Sequence, residues 1–251
     1  MSQWKERLRA NRRRLELDLL HSDNRCLYSP LYYAQYRVTL PLIRKYVKGK
    51  LIDLGCGDAP FKRKIEGLVT RYDTLDLFPR RTELTYVSDI QDMPAVPSAS
   101  YNSAICLEVL EHVADPFRAI REIYRILAPG GVLIASAPHL SRLHDPPHDY
   151  FRYTNFGLQS MLEQVGFRIV CIRQRGGLLS FLGHQISTIL LAFVWNREWI
   201  RKVVWVVNSW LIAKACFVLD EMLSLDEEFA AGYVVVAVKP ATEQKGTGEL
   251  G

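Results

Sequence analysis

Residues 51–60, LIDLGCGDAP, decide how the rest of the chain is read. An apolar run of strand length ends in Gly55 and Gly57, and PFKRKIEGL (60–68) then has helical character. A glycine-bearing turn from strand to helix is where open α/β sheets take nucleotide-like ligands, because tight turning and close backbone approach favour a residue without a Cβ. A bare GxG also serves as an ordinary turn, so its neighbours decide what it holds. Pro60 stands where a dinucleotide fingerprint needs its third glycine, and no lysine followed by serine or threonine is present to cradle phosphates. Asp53, just before the glycines, repels a pyrophosphate and attracts an ammonium or sulfonium group.

Outward from this loop, strands and helices alternate. YDTLDL (72–77), LTYVSDI (84–90), SAICLEV (103–109), VLIASAP (132–138), FRIVCI (167–172) and GYVVVAVKP (232–240) read as further strands, several of them near-continuous apolar runs of the kind covered on both faces. Between the fourth and fifth, Asp115 caps a helix with Pro116 in its first turn. Its apolar positions Phe117, Ile120, Ile123, Tyr124 and Leu127 recur at helical spacing, and Gly130 and Gly131 are expected to stop it. Thr154 is expected to cap another helix, ended by Gly166. The fold class is α/β: a doubly wound, mostly parallel seven-stranded sheet. Around it we expect a helical N-terminal extension over 1–47, broken at its prolines, the core over 48–175, an apolar helical insertion over 176–230, the last strand over 231–240 and a disordered tail over 241–251.

Acids recur at successive strand ends. Asp76, about twenty residues after the glycines, is placed to accept from ribose hydroxyls, and Asp89 to accept from an adenine amine while Ile90 packs on the ring. Arg80 and Arg81 would suit a 2′-phosphate, which Asp76 opposes. LIDLGCGDAP, TLDL, SDIQDMP, AICLEVLEHVADP and LAPGGVLIASAPH together resemble class I S-adenosylmethionine-dependent methyltransferases with a Rossmann-like sheet, of the large type 11 group, over roughly 48–175. The resemblance implies S-adenosyl-L-methionine as cofactor. It implies that Asp53, Gly55 and Gly57 hold the methionine part, Asp76 with Leu77 the ribose, and Asp89 with Ile90 the adenine, while Leu107 and Glu108 border the ligand. PHDYFRYTNFGLQSMLEQVGF (147–167) and the insertion after it resemble a subgroup associated with bacterial glycan and secondary-metabolite pathways.

SRLHDPPHDYFRYT (141–154) follows the fifth strand, beside the cofactor crevice and opposite EVLEHV (108–113), where an acceptor would sit. Methyl transfer to a hydroxyl requires alignment and removal of a proton, and histidine, with an ordinary pKa near neutrality, suits the second task. Of six histidines, His112, His139, His144 and His148 fall on these segments. His148 is the expected general base, oriented by Asp149, with His112 a hydrogen-bonding neighbour. Glu108, Glu111, His112 and His148 also form an oxygen-and-nitrogen set able to grip a divalent metal, resembling small-RNA 2′-O-methyltransferases and, more loosely, ubiquinone-pathway O-methyltransferases; the reading adopted has no metal.

The remaining features bound partners and location. Four of five tryptophans, Trp195, Trp199, Trp205 and Trp210, gather in the insertion beside Arg197, Arg201 and Lys202, a mix suited to a bilayer interface over 177–225. The alternative is a helical pair packed on the sheet or on a second subunit, as in a homodimer. The net charge of +5 is modest, with a basic start, WKERLRANRRR (4–14), and no identifiable RNA-binding module, so nucleic acid is not an expected partner. Five scattered cysteines without a CxxC pair fit a reducing cytoplasm, with the insertion allowing peripheral attachment at the inner face of a membrane. The expected activity is O-methylation of a small-molecule, glycan or lipid-linked acceptor. Two other readings stand beside it: a metal-assisted RNA 2′-O-methyltransferase, and a non-catalytic adaptor that keeps the fold and binds a partner or membrane.

Overall fold

A computed structural model of the protein describes residues 3–20, 22, 24–79 and 83–241. Arg80, Arg81 and all but the first residue of the polar tail lie outside the described residues. The order of longer elements is α1 (Gln3–Leu20), α2 (Pro30–Tyr46), β1 (Lys50–Leu54), α3 (Lys62–Ile65), β2 (Arg71–Asp76), β3 (Tyr86–Val87), β4 (Tyr101–Leu107), α4 (Pro116–Ile126), β5 (Leu127–Pro138), α5 (Asn155–Val165), β6 (Arg168–Arg175), α6 (Leu178–Val194), α7 (Glu198–Val207), α8 (Ala215–Met222), α9 (Leu225–Glu228) and β7 (Gly232–Val238).

The seven strands form one sheet in the order β3-β2-β1-β4-β5-β7-β6. β1 is parallel to both β2 and β4, pairing Asp53 with Thr74 and Ile105, so the glycine loop and the ends of β2 and β4 share the carboxyl edge. β4 and β5 are parallel, and β2 and β3 are parallel. β7 runs against β5: the Gly130 N–H donates to the Lys239 carbonyl at 2.8 Å and the Lys239 N–H to the Gly131 carbonyl at 2.9 Å. The burial of β1, β4, β5 and β7 explains their apolar runs, since a central strand has both faces covered.

Local signals account for most boundaries. Asp115 caps α4 by accepting the Arg118 N–H at 3.0 Å, and Thr154 caps α5 by accepting from Gly157 at 3.0 Å. Gly166 ends α5 at φ +106°, a conformation costly for a residue with a Cβ. Gly130 and Gly131 do not stop α4. The helix ends at Ile126 because Ala128 precedes Pro129 and is steered out of the helical region, and Gly130, at φ +76°, lies within β5 where its register against β4 shifts. Pro41 lies inside α2 without ending it, and Pro30 opens that helix.

Two compact units emerge. One comprises residues 42–137, 143–172 and those from 234 on, and holds nearly all of the sheet. The other comprises residues 1–41, 138–142 and 173–233, and is helical. In the helical unit α1 packs along α6: the Asn11 amide donates to the Ala192 carbonyl at 3.0 Å, the Trp195 indole to Asp18 at 2.8 Å, and Leu15, Leu19, Tyr28, Leu191 and Trp195 form a core cluster. Fully buried Asp220 accepts from the N–H groups of Gly177, Leu179 and Ser180 at 2.8–2.9 Å, satisfying the start of α6 and complementing its dipole.

Candidate active site at the carboxyl edge of the sheet

The loop after β1 is pinned by its backbone. The N–H groups of Gly55 and Cys56 donate to the Leu75 carbonyl at 2.8 and 3.1 Å. Gly55 has φ +63°, and a Cβ there would lie 2.5 Å from a Val109 methyl, so this glycine is required by packing as well as by conformation. Gly57 has φ +53°, but a Cβ would meet nothing within 4 Å: the loop presents an open face there.

Acids converge on this loop. Asp76 accepts the Gly57 N–H at 2.8 Å through one carboxylate oxygen and the Phe78 N–H at 3.3 Å through the other, while Leu77 beside it is exposed. Asp53 is buried and accepts the Tyr72 hydroxyl. Burial pushes its carboxyl up to about 7; the Tyr72 bond opposes that rise and the charge of Asp76 adds to it. Burial likewise pushes the Cys56 thiol up to about 12, which removes it as a nucleophile near neutral pH. Asp89 accepts the Gln91 N–H at 2.8 Å and that residue's side-chain amide, and the Gln91 carbonyl oxygen takes the Asp115 N–H at 2.9 Å, tying this turn to the start of α4. Ile90 is only 5% exposed and belongs to the core, so it offers little surface to a ring.

The second group lies just past β4. Leu107 ends that strand, and Glu108 follows at φ +57°, its carboxylate accepting the Ser136 hydroxyl at 2.8 Å. A non-glycine residue in the left-handed region is strained, and such positions concentrate at functional sites. The short helical turn Leu110–His112 then serves as a socket for the segment after β5. The Leu110 carbonyl accepts the Tyr153 hydroxyl at 2.9 Å, and the Glu111 carbonyl accepts from Tyr150 and Phe151 at 2.8 and 3.3 Å.

These bonds bring His144, not His148, to the centre. Nε2 of His112 lies 3.7 Å, and Nε2 of His144 3.9 Å, from Oε1 of the fully buried Glu111, and the two rings meet edge-on at 4.8 Å. His112 donates from Nδ1 to the His148 carbonyl, an oxygen that can only accept, which leaves Nε2 of the neutral ring as its lone-pair nitrogen. Asp149 does not orient His148. It accepts the His144 N–H at 2.8 Å, lies 3.5 Å from Nδ1 of that ring, and pairs with Arg152 at 2.6 and 2.8 Å. Arg152 holds the Asp149 carboxyl well below the usual carboxylate range. His148 is exposed, with its ring 3.2 Å from the Tyr150 hydroxyl. The oxygen-and-nitrogen set also differs from the expected one: Glu111, His112 and His144 each bring a ligand atom within 4.8 Å of the others, whereas Glu108 and His148 stand outside it. Sequence reasoning missed Tyr72, Gln91 and Arg152, whose roles depend on contacts across strands or turns.

The methyltransferase-domain family model matches residues 21–172, and the chain belongs to this family, the class I S-adenosylmethionine-dependent methyltransferases. Among curated proteins, the ubiquinone biosynthesis O-methyltransferase of Xanthomonas campestris pv. campestris (strain B100) is 29% identical over 119 residues, 42% of this chain and 47% of that protein. Its counterpart from Xanthomonas oryzae pv. oryzae (strain PXO99A) is 29% identical over 100 residues, 35% and 42% of the two chains. The chain thus spans about half the length of the curated relatives it matches. Two solved structures share the fold. A SAM dependent methyltransferase from Archaeoglobus fulgidus has a TM-score of 0.52 at 17% identity, covering 82% of this chain and 92% of its own. The S-adenosylmethionine dependent methyltransferase from Mesorhizobium loti has 0.51 at 18%, covering 82% and 97%.

The cofactor is S-adenosylmethionine, and the residues present fit it. The open face at Gly57 leaves room for close backbone approach, and the carboxylates of Asp53, Asp76 and Asp89 suit a ligand that offers an ammonium, ribose hydroxyls and an amine.

Proposed function

We propose that the protein methylates a hydroxyl oxygen of a glycan, lipid-linked sugar or secondary metabolite, with His144 as the general base. The observation that carries this reading is the Asp149–His144–Glu111–His112 grouping past the end of β4, in the same unit as the acid-lined glycine loop. Bound S-adenosylmethionine supplies a methyl group already activated by its sulfonium. Asp53, Gly55 and Gly57 hold the methionine end, and Asp76 and Asp89 accept from the ribose and the adenine amine. His144 keeps its Nδ1 proton against Asp149, so Nε2 takes the acceptor's proton, and the resulting imidazolium faces the Glu111 carboxylate. His112 is held by the His148 carbonyl and is the less accessible of the two rings. The printed names of the curated relatives, O-methyltransferases, support oxygen as the acceptor atom.

The test is turnover with methyl-labelled cofactor against hydroxyl acceptors of these classes. His144→Ala is expected to lower kcat by roughly 100-fold or more while cofactor affinity changes little, whereas His148→Ala keeps kcat within a few-fold. Unchanged turnover in His144→Ala, or no cofactor binding by folded wild type, overturns the proposal.

A second reading rests on the same cluster. Two imidazoles and a carboxylate with ligand atoms within 4.8 Å suit a divalent transition ion gripping a hydroxyl pair. On that reading chelation abolishes turnover and added metal restores it; on the general-base reading chelation has no effect.

A further inference from the structure

Beside its apolar core, the helical unit buries several polar side chains and exposes large apolar ones. On α6 the inward positions include Ser180, Gly183 and Ser187 beside Leu191 and Ala192, and on the chain that follows they include Asn208, Ser209 and Asp220 beside Ala213 and Phe217, all buried. The outward positions are large and apolar. Ile186, Ile189 and Phe193 line one side of α6, and Trp199, Val203 and Trp210 one side of the following helix, each more than half exposed. In water the hydrophobic effect drives the opposite arrangement, and an exposed apolar surface this extensive marks an interaction site. Small and polar residues between helices with large apolar ones outside is the arrangement a lipid environment selects.

The second helix runs without interruption from Glu198 to Met222 through a π-helical stretch at Asn208–Lys214. Its 25 residues have an 18-residue window of mean hydropathy 1.6 that is only 28% buried. At 1.5 Å per residue it extends about 37 Å, beyond the roughly 30 Å of a hydrocarbon core. Charge argues for lying on a bilayer rather than crossing one. Arg197 sits at the turn of the α6–α7 hairpin and Lys202 about one helical turn into α7, and α1, bonded to α6 through Asn11, exposes Lys5, Arg7, Arg13 and Arg14. These cations cannot enter hydrocarbon cheaply, but they complement lipid phosphates, and tryptophan beside arginine is the composition of an interfacial belt.

We propose that the helical unit docks the protein on the surface of an anionic phospholipid bilayer, with the outward faces of α6 and of the Glu198–Met222 helix in the interface and the cations of α1 against headgroup phosphates. The inference is separate from the chemistry at the sheet edge. The experiment is flotation of the full chain with vesicles of phosphatidylcholine alone and of phosphatidylcholine with phosphatidylglycerol, with light scattering in vesicle-free buffer. Co-flotation is expected with the anionic vesicles, weakened by high salt and reduced at least tenfold by Ile189→Glu with Val203→Glu. Arg13→Glu with Arg14→Glu should weaken it less. Both pairs are exposed, and unchanged helical circular dichroism and thermal unfolding show that the variants are folded. Failure to float with either vesicle, or undiminished flotation of the Ile189→Glu, Val203→Glu protein, overturns the proposal. So does a stable dimer in buffer that this double variant splits and that does not float, because a second copy would then cover the face.

Discussion

Replacing Asp53 with asparagine is expected to stabilise the protein above neutral pH while weakening its hold on the cofactor. The carboxyl is buried, and burial raises it from the ordinary 3.8 to about 7. Below about pH 4 the group is protonated in both folded and unfolded chains and costs nothing. As pH rises toward 7 the unfolded chain ionises first while the folded one keeps its proton, so stability falls across this interval and levels off above it. A span of roughly three pH units at about 1.4 kcal/mol each sets a ceiling of about 4 kcal/mol, and relaxation of the surroundings makes about 2 kcal/mol the expected value. The asparagine carbonyl oxygen still accepts from Tyr72, so the substitution removes the charge and keeps the bond. Urea unfolding of both proteins between about pH 4.5 and pH 8 measures the difference, which should grow with pH in favour of Asp53→Asn. The same group makes cofactor binding pH-linked: a cationic ligand beside Asp53 favours its ionised form, so binding near neutral pH should release a proton. Calorimetry in buffers of different ionisation enthalpy would show this release in the wild type, with weaker binding and no release in the variant. A stability difference that is flat with pH, or an asparagine variant that is less stable at about pH 8, would refute the reasoning.

The two loop glycines should separate packing from ligand approach. Gly55→Ala, whose Cβ would lie 2.5 Å from a Val109 methyl, is expected to lose several kcal/mol in denaturant unfolding, whereas Gly57→Ala should cost only about 1 kcal/mol and appear chiefly as weaker cofactor binding in calorimetry. Arg152→Ala strips the partner from an Asp149 carboxylate that is only 2% exposed; a loss of about 2–3 kcal/mol and a fall in kcat are expected, with cofactor affinity near wild type by titration. Asp220→Ala leaves the N–H groups of Gly177, Leu179 and Ser180 without their acceptor, so unfolding should show a loss of about 3 kcal/mol while kcat measured on the folded fraction is unchanged.

What could be read from sequence depended on whether a signal was local. Asp115 with Pro116, and Thr154 with Gly166, are capping instructions written within a few residues of the helix ends they control, and both operate as expected. The acids at the ends of β1 and β2 fall on one edge because parallel strands begin and end in register, so their order along the chain already implied their nearness in space. The segment 143–154 lacks such a rule. Asp149 and His148 are neighbours in sequence, but in an irregular stretch adjacent side chains diverge, and which one reaches the centre is set by bonds made from outside. Carbonyls of Leu110 and Glu111 capture Tyr150, Phe151 and Tyr153, and Arg152 turns Asp149 toward His144. Spacing carried no trace of these contacts, so a reading that favoured His148 had no means of seeing that His144 is the ring placed beside Asp149 and Glu111. The insertion shows the opposite limit. Its apolar composition was plain, yet a sequence apolar on most positions does not reveal which face is outward; in the structure Asp220 ties α8 to the start of α6 and Asn208 donates to the Leu27 and Tyr28 carbonyls, while Ile189, Phe193, Trp199 and Trp210 stand exposed.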